Sequence, residues 1–268
     1  MTKISCIIPT CDRNEYLIQA IKSVLEQSTP PMEVIIVNNG KKSVYLPPDV
    51  KEKIRIFDII PYAGVSQARN FGASVAQGDY LAFLDDDDLW NKKYLENVHK
   101  VLLDKNIFCT VSRLDKLENG KILFYKNPNG RISIENLLFF NPGITGSNIV
   151  ISKKLFFKIG GFDVNLPTSE DKSLLIEILK MGEKIEVLAD NFAIRRIHAG
   201  TKLTNALWMA EGIHRFTLKY SDLMTKRQYL LNWSKIFKYR YESGNKLAGF
   251  QYIFVQALSI FIKLFKIN

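Results

Sequence analysis

Residues 80–90 read Tyr-Leu-Ala-Phe-Leu-Asp-Asp-Asp-Asp-Leu-Trp, a short apolar run that ends in four aspartates. A continuous apolar run of this length is typical of a strand that is buried on both faces of a parallel sheet. Ligands of such sheets bind at the carboxyl ends of the strands. The four carboxylates are therefore expected at the edge of the sheet where a substrate binds.

Apolar runs and helical patterns alternate on both sides of this stretch. Further strands are predicted at residues 4–8, 34–37, 54–60, 107–112 and 147–151, a hairpin at Asn119-Gly120, and a strand pair around residues 185–197. Helices are predicted at residues 16–25, 65–77, 92–103 and about 170–181, with a short helix between residues 130 and 141 and only helical patterns from residue 203 onward. The alternation predicts an α/β fold with helices on both faces of a nucleotide-binding type of sheet.

The composition indicates a globular protein from a reducing compartment. Apolar residues make up 47% of the 268 residues, which is enough for one substantial core. Cys6, Cys11 and Cys109 are an odd number without a paired spacing, so neither a disulfide framework nor a zinc module is favoured. Residues 1–8 lack the length and cleavage site of a secretory signal. We therefore expect a cytoplasmic protein.

The net charge of +10 is concentrated at the C-terminal end. Residues 212–268 contain ten Lys and Arg but only two acids, whereas residues 1–211 contain 27 bases and 25 acids. The basic region is also rich in large apolar side chains, which suits an anionic membrane surface better than a nucleic acid. We therefore predict two regions, a domain of residues 1–205 and a basic, apolar helical region of residues 206–268, and no nucleic-acid partner.

The last predicted helix is apolar all round but short for a membrane span. Its uncharged core, residues 247–262, has 16 residues, fewer than the roughly 20 that a spanning helix needs. A helix lying at the membrane interface is therefore favoured, on the inner face of the plasma membrane. The alternative is a helix that packs on the main domain or on a second subunit, so a homo-oligomer stays open. Nearby bases that would attract anionic lipid are Lys235, Lys238, Arg240, Lys246, Lys263 and Lys266.

The four aspartates predict a divalent cation site. Carboxylates about 4 Å apart repel each other by about 4 kcal/mol at an effective dielectric constant near 20, so a strand end that keeps several ionised needs a counter-cation. Mg²⁺ or Mn²⁺, bound through one or two carboxylates and substrate phosphates, meets this need. The alternative is a solvated acidic turn that caps the following helix.

Two further elements carry chemistry. Glu170 and Asp171 begin a predicted helix and offer a candidate general base, or else they are favourable charges at a helix N-terminus. Arg69, near the start of the helix after the third strand, can pair with a diphosphate or brace the aspartates. Its alternative role is a surface ion pair.

Taken in order, these motifs resemble the family 2 glycosyltransferases of GT-A fold. The resemblance covers about residues 3–200. It rests on residues 7–13 (Ile-Ile-Pro-Thr-Cys-Asp-Arg), residues 68–72 (Ala-Arg-Asn-Phe-Gly), Gly78-Asp79-Tyr80 with the following run to Trp90, Gly160-Gly161-Phe162-Asp163, Glu170-Asp171 and Arg196-Ile197-His198. It implies a GT-A, Rossmann-like mixed sheet flanked by helices, with a C-terminal helical extension.

The resemblance also implies roles for single residues. Donor-binding positions would be Pro9, Thr10, Asp12, Arg13, Asn39, Arg69, Asp85 and Asp86, with Asp86 facing the ribose. Asp87 would ligate Mn²⁺ or Mg²⁺, and His198 lies where some relatives approach the metal or the diphosphate. Asp171 matches the catalytic base, with Glu170 beside it.

One motif departs from the family. Where members usually have Asp-Asp-Gly or Asp-Asp-Ser after the second strand, this chain has Asn38-Asn39-Gly40. An amide still hydrogen-bonds a base or ribose, but it carries no charge and adds a donor, so the choice of nucleotide is affected.

The resemblance implies an inverting transfer of a sugar from a nucleotide-sugar, expected to be a UDP-sugar, to a hydroxyl of a glycan or lipid-linked acceptor. The pathway would be assembly of cell-envelope or surface polysaccharide, of the O-antigen or capsule type. Two alternatives stay open. One is a nucleotide-binding scaffold without activity, and the other is a sugar nucleotidyltransferase, although residues 9–13 lack the glycine-rich phosphate loop expected of the latter.

Overall fold

The computed structural model describes residues 2–52, 54–104, 106–197 and 206–264. The strands are β1 (Ile4–Thr10), β2 (Glu33–Asn38), β3 (Ile54–Asp58), β4 (Tyr80–Phe83), β5 (Leu89–Trp90), β6 (Cys109–Glu118), β7 (Lys121–Lys126), β8 (Ile149–Ser152) and β9 (Ile185–Arg196). The helices are α1 (Asn14–Leu25), α2 (Pro48–Lys51), α3 (Val65–Val75), α4 (Tyr94–Val101), α5 (Ile134–Leu137), α6 (Lys153–Lys158), α7 (Glu170–Lys180), α8 (Ala206–Lys219), α9 (Lys226–Glu242) and α10 (Lys246–Leu264).

The strands in the described part of the chain form one mixed sheet. Their order is β3-β2-β1-β4-β8-β6-β9-β5, with β7 paired to β6. The first four strands of this order are parallel, and β8 is antiparallel to both β4 and β6. Because β1 lies between β2 and β4, the residues that follow these three strands meet at one edge of the sheet. The predicted α/β class with a mixed sheet and C-terminal helices is confirmed.

Alternate residues of the central strands fill two cores, one on each face of the sheet. Ile7 of β1 packs in the core that includes Phe83 and the apolar side of α7. Ile8, the next residue, packs in the core that includes Leu17 of α1 and Leu95 of α4. This alternation explains why the strands read as continuous apolar runs, since both faces of each strand are covered.

A glycine brings α3 close to the sheet. A Cβ atom at Gly72 would lie only 2.5 Å from Cγ2 of Ile7 in β1, so only glycine permits this approach. Arg69 lies on the same helix, one turn nearer its N-terminus, and is buried. The close packing of α3 on β1 therefore carries the Arg69 guanidinium to the carboxyl edge of the sheet.

The predicted strand pair around residues 185–197 is wrong, because this segment is the single strand β9. It runs parallel to β6, with a break in register between Ser112 and Arg113. The polar residues at the break do not turn the chain. Instead, the buried Asn191 side chain donates hydrogen bonds to the Tyr94 carbonyl at 3.0 Å and to the Ser112 hydroxyl at 3.2 Å. The remaining predicted elements are present, with ends that differ by a few residues.

The C-terminal helices pack on the sheet domain and on one another. Phe216 of α8 and Tyr220, the residue after α8, belong to the core on the α7 side of the sheet. α8 contacts α9, and α9 contacts α10 along its length. Thr225 and Gln228 form a capping box at the start of α9. The predicted division between residues 205 and 206 stays a prediction, since residues 198–205 lie outside the described part.

Candidate active site

Four aspartates, Asp85–Asp88, form an acidic corner directly after β4. Asp86 is fully buried and Asp88 nearly so, whereas the side chains of Asp85 and Asp87 are 28% and 20% exposed. All four line the same cavity. Asp85 and Asp87 thus present carboxylate oxygens to the cavity, while Asp86 and Asp88 are tied to the protein.

Asp86 is fixed by Thr10, which ends β1, and by Arg13, which precedes α1. Its Oδ2 accepts a hydrogen bond from the Thr10 hydroxyl at 2.7 Å, and its Oδ1 lies 2.5 Å from Nη2 of Arg13. Burial raises the pKa of Asp86 to about 7, against the opposing charge of Arg13. Arg13 also pairs with Asp87, at 2.5 Å between Nη1 and Oδ2. Thr10 and Arg13, predicted to bind the donor, are therefore in direct contact with the acidic corner.

Asp88 joins the acidic corner to two other strands. It accepts hydrogen bonds from the Ser147 hydroxyl at 2.6 Å, just before β8, and from the backbone N–H of Arg196 at 3.1 Å, at the end of β9. Burial raises the pKa of Asp88, and the charges of Asp85 and Asp87 add to this effect. Asp88 thus positions the corner.

Arg69 connects the acidic corner to the acidic pair, Glu170 and Asp171. Its Nη2 lies 2.5 Å from Oδ1 of Asp85 and its Nη1 lies 2.9 Å from Oε1 of Glu170. The Arg69 side chain is 3% exposed. Burial opposes its charge, but the two carboxylates outweigh burial and raise the pKa of Arg69. Arg69 is therefore a buried bridge between two acidic groups that are 85 residues apart in the chain.

Asp171 lies at the N-terminus of α7 and lines the cavity. Ser169, which precedes the helix, has a φ of 69°, a left-handed conformation that turns the chain into α7. Oδ1 of Asp171 accepts a hydrogen bond from the backbone N–H of Lys172 at 2.7 Å. Burial and the neighbouring charge of Glu170 raise the pKa of Asp171. A carboxylate with a raised pKa is a stronger base than an ordinary aspartate, as general-base catalysis requires.

The ends of β1 and β2 form the other side of the cavity. Pro9, Thr10 and Asn39 line it, as does Arg13. Among the predicted site residues that the structure describes, Asp12 does not line the cavity. Its carboxylate instead accepts hydrogen bonds from the backbone N–H of Lys42 at 2.8 Å and from the Tyr62 hydroxyl at 3.1 Å. Asp12 thus braces the loop after β2.

Asn38, where family members usually have an aspartate, forms hydrogen bonds that use its amide group. Its amide nitrogen donates to Oδ1 of Asp58 at 2.8 Å and to the carbonyl of Lys42 at 3.0 Å, and its amide oxygen accepts from the N–H of Gly40 at 3.0 Å. An aspartate at position 38 would place two carboxylates together without a donor between them. The amide therefore suits this neighbourhood, and Asn39 is the residue of the two that faces the cavity.

These elements enclose one large cavity of 1240 Å³. The sequence did not single out three lysines that also line it, Lys126, Lys172 and Lys235. The one signal for them is Lys172 directly after the acidic pair, at a helix position where apolar residues follow. The lysines add positive charge to the cavity wall next to Asp171.

The predicted Mn²⁺ or Mg²⁺ prefers oxygen ligands, which Asp85 and Asp87 can supply. Within residues 2–52, 54–104, 106–197 and 206–264, no group of three or more His, Cys, Asp or Glu side chains is arranged to hold a metal. The donors therefore fit a cation that one or two carboxylates share with substrate oxygens, and binding would replace the ion pair of Asp87 with Arg13. The other predicted ligand, His198, lies outside the described residues.

A solved structure defines the class of fold. S. aureus TarS 1-349 in complex with UDP-GlcNAc matches with a TM-score of 0.65 and 17% sequence identity, over 92% of this chain and 75% of the TarS chain. The sheet order and flanking helices are accordingly those of a GT-A glycosyltransferase fold, as predicted.

Sequence relatives make the assignment specific. The chain matches glycosyl transferase family 2 over residues 5–160, more than half of its length, and belongs to that family. An uncharacterized glycosyltransferase of Rickettsia bellii is 29% identical over 227 residues, which are 76% of this chain and 32% of that protein. TuaG of Bacillus subtilis, a glycosyltransferase named for teichuronic acid biosynthesis, is 32% identical over 108 residues, 38% of this chain and 43% of TuaG. This chain thus spans about a third of the length of the R. bellii relative.

Proposed function

We propose that this chain is an inverting glycosyltransferase that moves a sugar from a nucleotide-sugar, expected to be a UDP-sugar, to a hydroxyl of a glycan or lipid-linked acceptor. One observation carries the proposal. Arg69 contacts Asp85 and Glu170 at the same time, so the acidic corner and the acidic pair share one cavity. The UDP-GlcNAc bound to the TarS relative supports a nucleotide-sugar as donor.

The proposed chemistry divides between the two acidic groups. Asp171 would take the proton from the acceptor hydroxyl as its oxygen attacks the anomeric carbon from the face opposite the nucleoside diphosphate. A single displacement inverts the configuration, so an α-linked donor gives a β-linked product. Asp87, with Asp85 beside it, would hold Mn²⁺ or Mg²⁺. When bound, that ion supplies Lewis-acid stabilisation of the charge on the leaving diphosphate.

Residues at the ends of β1 and β2 would bind the donor. Pro9, Thr10 and Asn39 line the cavity on that side, and Arg13 is already paired with the acidic corner. Asp86, which is buried between Thr10 and Arg13, would face the ribose of the bound nucleotide. Asp12 would act indirectly, by fixing the loop after β2.

Donor binding and turnover separate this function from its rivals. We expect isothermal titration of the protein with UDP to show binding that Mn²⁺ strengthens, and we expect Asp87→Asn to lose most of that strengthening. Asp104→Asn, an exposed aspartate after α4, is the matched control and should behave like the wild type. Incubation with UDP-sugars should then release UDP slowly, and faster with a membrane-lipid extract as acceptor. UDP binding without turnover would favour the scaffold, and pyrophosphate release from UTP and a sugar 1-phosphate would favour the nucleotidyltransferase.

The C-terminal helices would hold the enzyme at an anionic membrane surface, on the cytoplasmic side, in the assembly of cell-envelope or surface polysaccharide. The TuaG relative supports this kind of pathway. One face of α10 packs on α9 through Ala248, Val255 and Ser259, which are buried. The opposite face leaves a row of large apolar side chains exposed, namely Leu247, Phe250, Ile253, Phe254, Leu258 and Ile260. Exposed apolar patches of this kind mark interaction surfaces.

The charges near this face favour anionic lipid as its partner. Lys246 begins α10 and Lys238 lies on α9, and both are exposed. Each base near a membrane adds about 1 kcal/mol of attraction. None of the helices in the described part of the chain has the length and apolar character needed to span a bilayer. The favoured arrangement is α10 lying along the membrane interface.

Liposome sedimentation tests this role. Removing two phenylalanine rings from lipid should weaken binding roughly a hundredfold or more, at about 1.5–3 kcal/mol for each ring. Phe250→Glu/Phe254→Glu should therefore no longer sediment with anionic vesicles, while Leu103→Glu, an exposed leucine after α4, should sediment like the wild type. Undiminished binding by the double variant would remove the membrane from the proposal and favour packing against a second copy.

A further inference from the structure

Three lysines from different elements converge on residues 137–141 in the cavity wall, next to Asp171. Lys126 is the last residue of β7, Lys172 lies in the first turn of α7, and Lys235 lies in the middle of α9. All three line the cavity that also holds the acidic corner and Asp171. Their meeting depends on the fold, because they are distant in sequence.

Each ammonium group is held by a backbone carbonyl of one short segment, residues 137–141. The acceptors are Leu137 for Lys172 at 3.2 Å, Asn141 for Lys126 at 3.2 Å, and Phe139 for Lys235. A carbonyl carries no net charge, and an ammonium group has three donors, so each lysine keeps further donors. None of the ion pairs formed within the described residues includes these lysines.

This arrangement is costly in the absence of an anion. Lys172 is 7% exposed, with its ammonium group 4.0 Å from the centre of the Phe216 ring. Burial and the nearby charge of Lys235 lower the pKa of Lys172, and burial lowers the pKa of Lys235 to about 8. Buried charges are normally paired. A bound anion would provide the missing partner.

The cluster lies on the acceptor side of the proposed base. A chain of contacts runs from Asp85 through Arg69 to Glu170, and then through Asp171 to Lys172. Lys126, at the end of β7, joins the other two lysines at residues 137–141 through the Asn141 carbonyl, whereas the residues proposed to bind the nucleotide follow β1 and β2. The lysines therefore lie on the elements next to Asp171 and not on the elements proposed to bind the nucleotide.

We propose that the acceptor carries a phosphate group, which Lys126, Lys172 and Lys235 bind so that the acceptor hydroxyl reaches Asp171. This inference rests on the proposed function and adds the substrate class to it. A phosphate matches three ammonium groups that have free donors and form no ion pair. The phosphate can belong to a lipid diphosphate that carries a saccharide or to a polymer with phosphodiester links.

Binding of a small phosphate ester tests the cluster directly. With the donor site saturated by UDP, the protein is titrated with glycerol 3-phosphate and with glycerol. The wild type should bind the phosphate ester and not glycerol. Because hydrogen bonds to charged groups are strong, Lys172→Met/Lys235→Met should weaken that binding roughly tenfold or more. Lys100→Met, an exposed lysine of α4, should bind like the wild type. Equal binding by the double variant, or no preference over glycerol in the wild type, would overturn the inference.

Further measurements distinguish a failure of this inference from misfolding of the variant and from a failure of the proposed function. UDP affinity should be unchanged in the lysine variants, and absence of UDP binding by the wild type would contradict the proposed function instead. If the double variant does not fold, Lys126→Met is used in its place, since Lys126 is only half-buried. This variant should weaken binding of glycerol 3-phosphate and leave UDP binding unchanged. Geranyl diphosphate and poly(glycerol phosphate) are then used as competitors. If either compound competes with glycerol 3-phosphate, the inference is supported and the source of the acceptor phosphate is identified. If neither compound competes, the inference is overturned.

Discussion

Replacing Asp171 by asparagine is expected to slow sugar transfer about 10²- to 10⁴-fold, the usual contribution of a general base, while UDP affinity is unchanged. Asparagine keeps the shape of the side chain and can still accept the hydrogen bond from the N–H of Lys172. Its amide cannot take the proton of the acceptor hydroxyl. Single-turnover transfer from a radiolabelled UDP-sugar measures the rate, and isothermal titration measures UDP affinity.

The matched control is Glu52→Gln, at an exposed carboxylate that follows α2 and does not line the cavity. This variant should transfer sugar at the wild-type rate. An Asp171→Asn enzyme with a near-normal rate would remove Asp171 from the role of base. Loss of both transfer and UDP binding would indicate instead that Asp171 supports the structure of the site.

The pH profile provides an independent readout of the same role. Burial and the charge of Glu170 raise the pKa of Asp171. A base must be deprotonated, so the transfer rate should rise with pH and reach its plateau well above the range of an ordinary aspartate. Glu170→Gln removes one of the two causes, and the rising limb of its profile should move to lower pH. A profile that is flat down to the usual aspartate range would contradict the assignment.

Local pattern was sufficient to predict most of the fold. Continuous apolar runs identified β1, β2 and β4, because strands buried on both faces leave no polar alternation. Their carboxyl ends are adjacent by the rules of parallel sheets, which is why Thr10, Asn39 and Asp85 could be placed together. The exception was β9, which was predicted as a pair of strands and is a single strand with a break in register beside Asn191. The buried Asn191 amide donates hydrogen bonds to residues that are distant in the chain, and such contacts cannot be recognised from the local sequence.

The contacts within the site could not be predicted in the same way. The pairs of Arg13 with Asp86 and of Arg69 with Glu170 join residues 73 and 101 positions apart, and depend on how helices pack on the sheet. The lysine cluster was missed because Lys126, Lys172 and Lys235 share no motif and meet only through residues 137–141. The donor-binding role of Asp12 stays a prediction, since its carboxylate is used by the neighbouring loop.

Arg69→Met is expected to lower the free energy of unfolding by about 3 kcal/mol, the lower end of the cost of breaking a buried ion pair from one side. The guanidinium is 3% exposed, and without it Asp85 and Glu170 lose their shared partner. These carboxylates are 28% and 12% exposed, so water in the cavity offsets part of the loss. Urea unfolding followed by circular dichroism measures the change. Arg69→Lys keeps the charge but cannot contact both carboxylates at once, so its stability should lie between those of the wild type and Arg69→Met.

The triple variant Arg69→Met/Asp85→Asn/Glu170→Gln distinguishes a bridge from a packing role. It removes the two carboxylates that Arg69→Met leaves unpaired, so most of the lost stability should return. Sugar transfer should be slow in Arg69→Met and should not return in the triple variant, which lacks both Asp85 and the connection between the acidic corner and the helix that carries Asp171. If the triple variant is as unstable as Arg69→Met, the loss comes from packing of the side chain against its neighbours Gly146 and Phe162. Recovery of stability together with transfer would show that the two halves of the site act without the bridge.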